Sequence, residues 1–405
     1  MSFFPVWSGR LALVLSAFLS SWAAAEPARM TADQAVEHAL SRGQWQQEWQ
    51  AGVDLARGDL ALARTLPNPS IVASREDLAE AGATGEELTV LLSQSFDLGG
   101  VRGLHIRAAE AGLAVAEVQA LRDRRQVRSE TLLAYYRAVA AEQVRAIRAE
   151  ALAELEQIAD AASKRHAEGD LSGFEARRLQ QSAEQARAAH ADAESEVHVT
   201  RAALAAWVGA SAASALLDDT LPVPELPAAR DVGSANLDVL TAEQARAEAE
   251  LEAARRLSLP VTVGVGRKRV RLGDASDDAV VLEFGVALPL FDRQQGERAR
   301  ASAALALAES RREREEATLQ VTRSALMAQA QARIAAVERV NNHLRPEAIA
   351  LSAIAKASFS EGELEVFALL DALESNTRVA EQSAAEGLRA LEAVLALEAL
   401  MPVQP

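Results

Sequence analysis

The sequence predicts a mainly α-helical chain with a small β part, made of one helix–strand–strand–helix–helix unit used twice. Three observations predict this class. Landmark stretches recur at a nearly constant spacing, two helical segments are far longer than a compact domain needs, and four short segments alternate apolar and small or polar residues.

The repeat is read from three pairs of landmarks. Leu-Pro-Asn-Pro-Ser-Ile-Val at 66–72 answers Leu-Ser-Leu-Pro-Val-Thr-Val at 257–263, an offset of 191 residues. Ser-Phe-Asp at 95–97 answers Pro-Leu-Phe at 289–291, an offset of 194. Glu-Gly-Asp-Leu-Ser-Gly-Phe at 168–174 answers Glu-Gly-Glu-Leu-Glu-Val-Phe at 361–367, an offset of 193. The units are 26–215 and 235–405, joined by a proline-rich connector at 216–234 that is expected to be irregular.

Each unit opens with a helix, Thr31–Thr65 (broken near Gly43) in the first and Ala235–Leu257 in the second. Prolines end these helices because proline has no amide hydrogen for the ladder. Strands are expected at about 68–76 and 87–97, then at about 260–271 and 279–290. Helices follow at about 100–167 and 293–360, each long enough to reach roughly 100 Å at ~1.5 Å per residue. Pro346 interrupts the second of these and predicts a kink. Glycine turns reverse the chain into returning helices at about 174–208 and 366–400. Alanine supplies much of the 49% hydrophobic content, whereas aromatics are only 4%, which suits long helices in close contact.

The N-terminal MSFFPVWSGRLALVLSAFLSSWAAAEP carries Arg10, a short apolar run and Ala23-Ala24-Ala25, so residues 1–25 are expected to be an export signal cut before Glu26. No later stretch is apolar enough for a transmembrane helix. The chain has no cysteine, which excludes disulfides and thiol chemistry. A net charge of −16 argues against nucleic-acid binding.

The strands suggest a membrane. Val261, Val263 and Val265 share one face of their strand, and Val280, Leu282, Phe284, Val286 and Leu288 share one face of the next. Glu283 falls on the opposite face. In the first unit Leu88, Val90, Leu92 and Phe96 oppose Thr89, Leu91, Ser93 and Ser95. Such alternation fits strands with one face in lipid and one in a lumen. Strands in lipid must close into a barrel, and four strands are too few, so several copies must share one. Glu76–Glu87 and Leu272–Asp278 are expected to be charged loops at the mouth. Arg267, Arg269 and Arg271 continue the apolar face, either against lipid phosphates or as a solvated charge run.

LPNPS at 66–70, SFDLGG at 95–100, LPLFDRQQG at 288–296 and EGELEVFALLDA at 361–372 resemble, in this order, the landmarks of the TolC family of outer-membrane efflux channels, with LPLFDRQQG most similar to its heavy-metal (Czc-type) branch. The resemblance covers essentially the whole chain beyond the export signal. It implies a homotrimer with a 12-stranded outer-membrane barrel continued by a periplasmic α-helical tunnel. It also implies a periplasmic adaptor and an inner-membrane transporter of the proton-driven RND type as partners, with lipid around the barrel. By the same resemblance, Asp170, Leu171, Ser172 and Phe174, with Glu363, Leu364, Glu365 and Phe367, form the periplasmic tip where the adaptor docks. Asp292 is expected to cap the second long helix, and Glu283 to line the barrel, where acidic residues favour cations.

No catalytic constellation, cofactor fingerprint or metal-ligand spacing is present, the six histidines being scattered. An enzyme is not expected. Two other readings stay open at this stage, an exported coiled-coil adaptor and the same fold serving type I protein secretion.

Overall fold

The computed structural model describes residues 29–80, 83–218, 220–227 and 234–400. The expected export signal lies outside the described residues.

The chain begins with β1 (Arg29–Met30), α1 (Ala32–Leu40) and α2 (Gly43–Arg64). Thr31 starts α1 with a capping box, its side chain accepting from Gln34 N while Gln34 reaches back to Thr31 N. β2 (Ser70–Glu80) and β3 (Ala83–Asp97) form a hairpin, and α3 (Val101–Glu168) runs on from it for 68 residues. α4 (Gly173–Val208) returns and ends at the short α5 (Ala210–Ala213). β4 (Leu216–Leu217) then pairs in parallel with β1.

The second unit has α6 (Ala235–Arg255), β5 (Pro260–Leu272), β6 (Ala275–Val286), α7 (Gln295–Arg339), α8 (Arg345–Ser360) and α9 (Val366–Glu398). A π-turn at Val340–Leu344 joins α7 to α8. The interruption expected at Pro346 thus takes the form of one wide turn just before it. Proline cannot donate to the preceding turn, and the extra residue lets the chain stay helical around the missing bond.

The four long strands form one antiparallel sheet in the order β2-β3-β5-β6. The helices beneath keep that order. α3 packs on α2 and α6, and α6 packs on α7. Further along, α3 packs on α4 and α9, and α9 packs on α7 and α8. Each strand therefore stands over the helix to which the chain connects it, and sheet and helices form one continuous wall. Its two lateral edges, β2 and β6, are each paired on one side only among the described residues.

The strand-to-helix junctions explain two landmarks. Asp97 Oδ1 accepts from Gly99 N at 2.8 Å and from Leu259 N at 3.0 Å, tying the first unit to the second. A Cβ on Gly99 would lie 2.2 Å from the Leu257 carbonyl oxygen, so only glycine fits there. Gly100 then begins α3 in the left-handed region, at φ 71°. Its counterpart 194 residues later is Gln294, at φ 60°, which begins α7 in the same region.

Several expectations need correction. The strands run further from the helices than charge alone suggested: 76–80 and 83–87 are strand, and so are Leu272 and 275–278. Their charges pair across strands, as in Arg75–Glu86 and Arg269–Asp278, instead of marking loops. β6 ends at Val286, so Leu288 lies past the strand, although Ala287 N still donates to Pro260 O. Asp292 is not the cap of α7. Its Oδ1 accepts from Gln294 N in a turn ahead of the helix. The connector is not wholly irregular, because β4 lies within it.

The waist is held by a core of Met30, Tyr135, Val139, Leu204, Val208 and Leu217. Tyr135 is 1% exposed, and its hydroxyl donates to Met30 O at 2.7 Å. The Tyr135 hydroxyl oxygen also lies 3.0 Å from Asp218 Oδ2 and accepts from Asp218 N at 3.3 Å. Burial pushes the phenol pKa well above its ordinary value of 10.

Candidate functional site

Two regions bear on function, the sheet and the far end of the helices. In the sheet, register decides which residues share a face. Ile71, Leu92, Val265 and Leu282 form one row across all four strands. Ala73, Val90, Arg267 and Val280 form the next row on the same face. Gln94, Val263 and Phe284 form another, followed by Phe96, Val261 and Val286. This face is apolar and open: Leu282 is 80% exposed and Phe284 70%. Val261 is the exception. It is buried at the end of β5 nearest the helices, so it does not join the exposed face as expected.

The opposite face is mostly small or polar. Ser70, Ser93, Gly264 and Glu283 make one row, with Ser95, Thr262 and Gly285 beside it. Ser70 Oγ lies 2.8 Å from Ser93 Oγ, and Ser95 Oγ 3.0 Å from Thr262 Oγ1. Lys268 pairs with Glu87 on this face. A Cβ on Gly264 would lie 3.2 Å from Glu283 Cβ and 3.3 Å from Leu91 Cδ1, so the glycine leaves space for both side chains. Of the hydrogen-bonding side chains on this face of β5 and β6, sequence reading had assigned a role to Glu283 alone. The signal for Thr262 and Lys268 was the same period of two.

At the other end, the two helical turns are built alike. Gly169 at φ 88° ends α3, with Asp170 N donating to Arg165 O at 2.9 Å. Gly362 at φ 79° ends α8, with Glu363 N donating to Ser358 O at 2.8 Å. These bonds satisfy carbonyls that a helix end leaves open, and the left-handed step favours glycine. Ser172 caps α4 in a capping box with Glu175, whereas Glu365 begins α9 without a side-chain cap bond.

The eight tip residues divide into two groups. Leu171 packs against a core of Ala159, Ala162, Leu179, Ala183, Val366 and Leu370. Leu364 packs against Ala355, Leu369, Ala372 and Leu373. Both leucines are half-buried and committed to their own chain. Phe174 and Phe367 face outward, 66% and 53% exposed, with ring centroids 6.1 Å apart. Asp170, Ser172, Glu363 and Glu365 are exposed around them. The structure therefore brings the two turns together through their phenylalanines.

Among the described residues, no group of three or more His, Asp or Glu side chains is placed to hold a metal ion. No described helix is long and apolar enough to cross a membrane.

No family model matches the chain. The chain is 26% identical over 330 residues to the cobalt-zinc-cadmium resistance protein CzcC of Cupriavidus metallidurans, covering 79% of this chain and 77% of that protein. Its fold matches the outer membrane protein VceC of Vibrio cholerae with a TM-score of 0.74, at 20% identity, over 91% of this chain and 95% of VceC. It also matches the CmeC outer membrane channel of Campylobacter jejuni with a TM-score of 0.73, at 15% identity, over 91% of this chain and 85% of CmeC. These similarities bear out the resemblance to TolC-family channels and to their heavy-metal branch.

Proposed function

We propose that the chain is the outer-membrane exit duct of a tripartite efflux pump, with metal cations as its cargo. Three copies close a barrel of about 12 strands over a tunnel of helices. The observation that carries this reading is the common order of the two layers, β2-β3-β5-β6 over α2, α3, α6 and α7, with both lateral edges open. A sheet with an apolar outer face, a polar inner face and two unpaired edges is incomplete alone. Joining β6 of one copy to β2 of the next satisfies both edges and makes a closed wall.

The duct has no energy source of its own on this reading. An inner-membrane transporter of the proton-driven RND type supplies it through a periplasmic adaptor. The adaptor meets the tip at Phe174 and Phe367, framed by Asp170, Ser172, Glu363 and Glu365. Leu171 and Leu364 shape the tip from inside. Glu283 and Glu87 on the inner face favour cations over anions, and the resistance named for CzcC supports metal cations as cargo.

The test is the protein mass of the detergent-extracted chain, by light scattering corrected for bound detergent, followed by conductance in planar bilayers. Three chains and a cation-selective conductance are expected. A monomer that stays in solution without detergent would overturn the reading.

A further inference from the structure

The outward face of the sheet changes character beyond its apolar rows. Toward the hairpin ends it carries Arg267, Arg269 and Arg271 on β5 and Arg75 on β2. Alternation keeps the three β5 arginines on one face, and at about 3.4 Å per residue they span about 14 Å. Arg267 is level with Val90 and Val280 in the last apolar row. Arg269 is level with Arg75, Leu88 and Asp278 in the next.

Three acids are interleaved with these arginines. Arg269 lies 2.9 Å from Asp278 and Arg267 3.5 Å from it, while Arg75 lies 3.3 Å from Glu86 and 3.5 Å from Asp77. The six side chains other than that of Arg271 are thus in ion pairs, and these pairs are largely open to solvent, where such pairs are weak and exchange readily. Arg271 is exposed and has no acid within ion-pair distance among the described residues.

We infer that this arginine stripe binds the phosphate groups of lipid in the outer leaflet. The inference rests on the barrel reading, which places the apolar rows in hydrocarbon. The stripe then sits at the depth of the lipid headgroups, running outward from the last apolar row. Arginine suits that position because its stem lies along apolar surface while its head reaches polar groups. Its planar fork also donates two parallel hydrogen bonds to phosphate, which exposed aspartate and glutamate hold only weakly. The acids keep the guanidinium heads extended across β2, β5 and β6, and Arg271 offers an open fork. Lys268, between these arginines in sequence, points to the other face and pairs with Glu87.

The test uses the full mature protein in nonionic detergent and native mass spectrometry, which reports bound lipid and chain count together. The probes are a lipid A carrying both phosphates and the same lipid with both removed. The phosphorylated lipid is expected to bind at least about tenfold more tightly, the weight of one charge-assisted hydrogen bond. Arg271→Gln should weaken it about tenfold, Arg267→Gln with Arg271→Gln further still, and Lys268→Gln not at all. Arg271→Gln touches no ion pair, so its folding is not at issue. Equal binding of the two lipids, or unchanged binding by Arg271→Gln, would overturn the inference. The chain count separates this from the barrel reading. An assembled oligomer indifferent to phosphate leaves the barrel and removes the lipid site, whereas a monomer that binds through these arginines does the reverse.

Discussion

Leu282→Arg distinguishes a lipid-facing sheet from a soluble one. Leu282 is 80% exposed in the single chain and sits mid-strand, in register with Val265 and in the same row as Leu92 and Ile71. In a soluble protein, replacing so exposed a leucine shifts stability by only about 0.5 kcal/mol either way. If the row faces hydrocarbon, an arginine there costs about 2–4 kcal/mol per copy. At about 1.4 kcal/mol per tenfold, that is a roughly 30- to 700-fold loss in the folding equilibrium of each copy. The assay is the fraction of protein that refolds into lipid vesicles along a urea series, read as heat-resistant oligomer on gels. The control is Glu283→Gln, one residue away on the other face, which should behave like the native chain. Extending the scan along β6, Phe284 should be sensitive to arginine, Val280, level with Arg267, much less so, and Ala279 and Val281 should be tolerant. A Leu282→Arg protein that assembles as well as the native one would refute the assignment of this face to lipid.

Replacing Phe174 and Phe367 together with alanine should abolish adaptor capture in a pull-down while leaving the oligomer intact. Retained capture would move docking elsewhere. Leu171→Asp should instead lower thermal stability, because it buries a charge against Leu179 and Val366, and loss of capture in that variant alone would not locate the docking surface. Tyr135→Phe should cost about 1–3 kcal/mol, since the Met30 carbonyl loses its donor in a buried site. The raised pKa of Tyr135 also sets a sign: the phenol stays neutral in the folded chain but ionises above pH 10 in the unfolded one. Its contribution is therefore complete below pH 10 and is lost as pH rises beyond it. The Tyr135→Phe chain should lack this alkaline loss when melts are followed by circular dichroism, and an identical loss in both proteins would contradict the assignment.

The helical part was legible because its signals are local. Alanine-rich stretches without breakers gave the long helices, and glycines at 169 and 362 gave the turns between them. The outer reaches of the sheet were less legible. Glu76, Asp77 and Glu86 read as loop because charge usually marks solvent, yet in the structure they belong to strands that extend past the apolar rows. The two-residue clasp of β1 and β4 is too short for any period to reveal, and Tyr135 joins its ends by bonding Met30 and Asp218 from distant parts of the chain. The tip motif gave the turns but did not divide their residues between inside and outside. Leucine and phenylalanine look equally apolar in sequence, and only packing sends Leu171 and Leu364 inward and leaves the phenylalanines outside.

The duplication also suggests how copies would join. Inside one chain, the seam between the two units is β3 against β5, closed at its helix end by Asp97 and Gly99 against Leu257 and Leu259. The repeat offset of 194 carries Asp97 to Phe291, and the offset of 191 carries Leu257 to Leu66. Phe291 is 93% exposed in the single chain and Leu66 51%. On the proposed reading, these positions meet where β6 of one copy joins β2 of the next. The internal seam is then a template for the one between copies, with an apolar phenylalanine in place of the aspartate clamp. A polar clamp suits a joint that folding within one chain brings together. An apolar side chain suits a joint between chains, because burying it favours association and leaves no unpaired charge if the partner is late. On that reading, two such units in one chain supply two different joints, one made on folding and one left open for assembly.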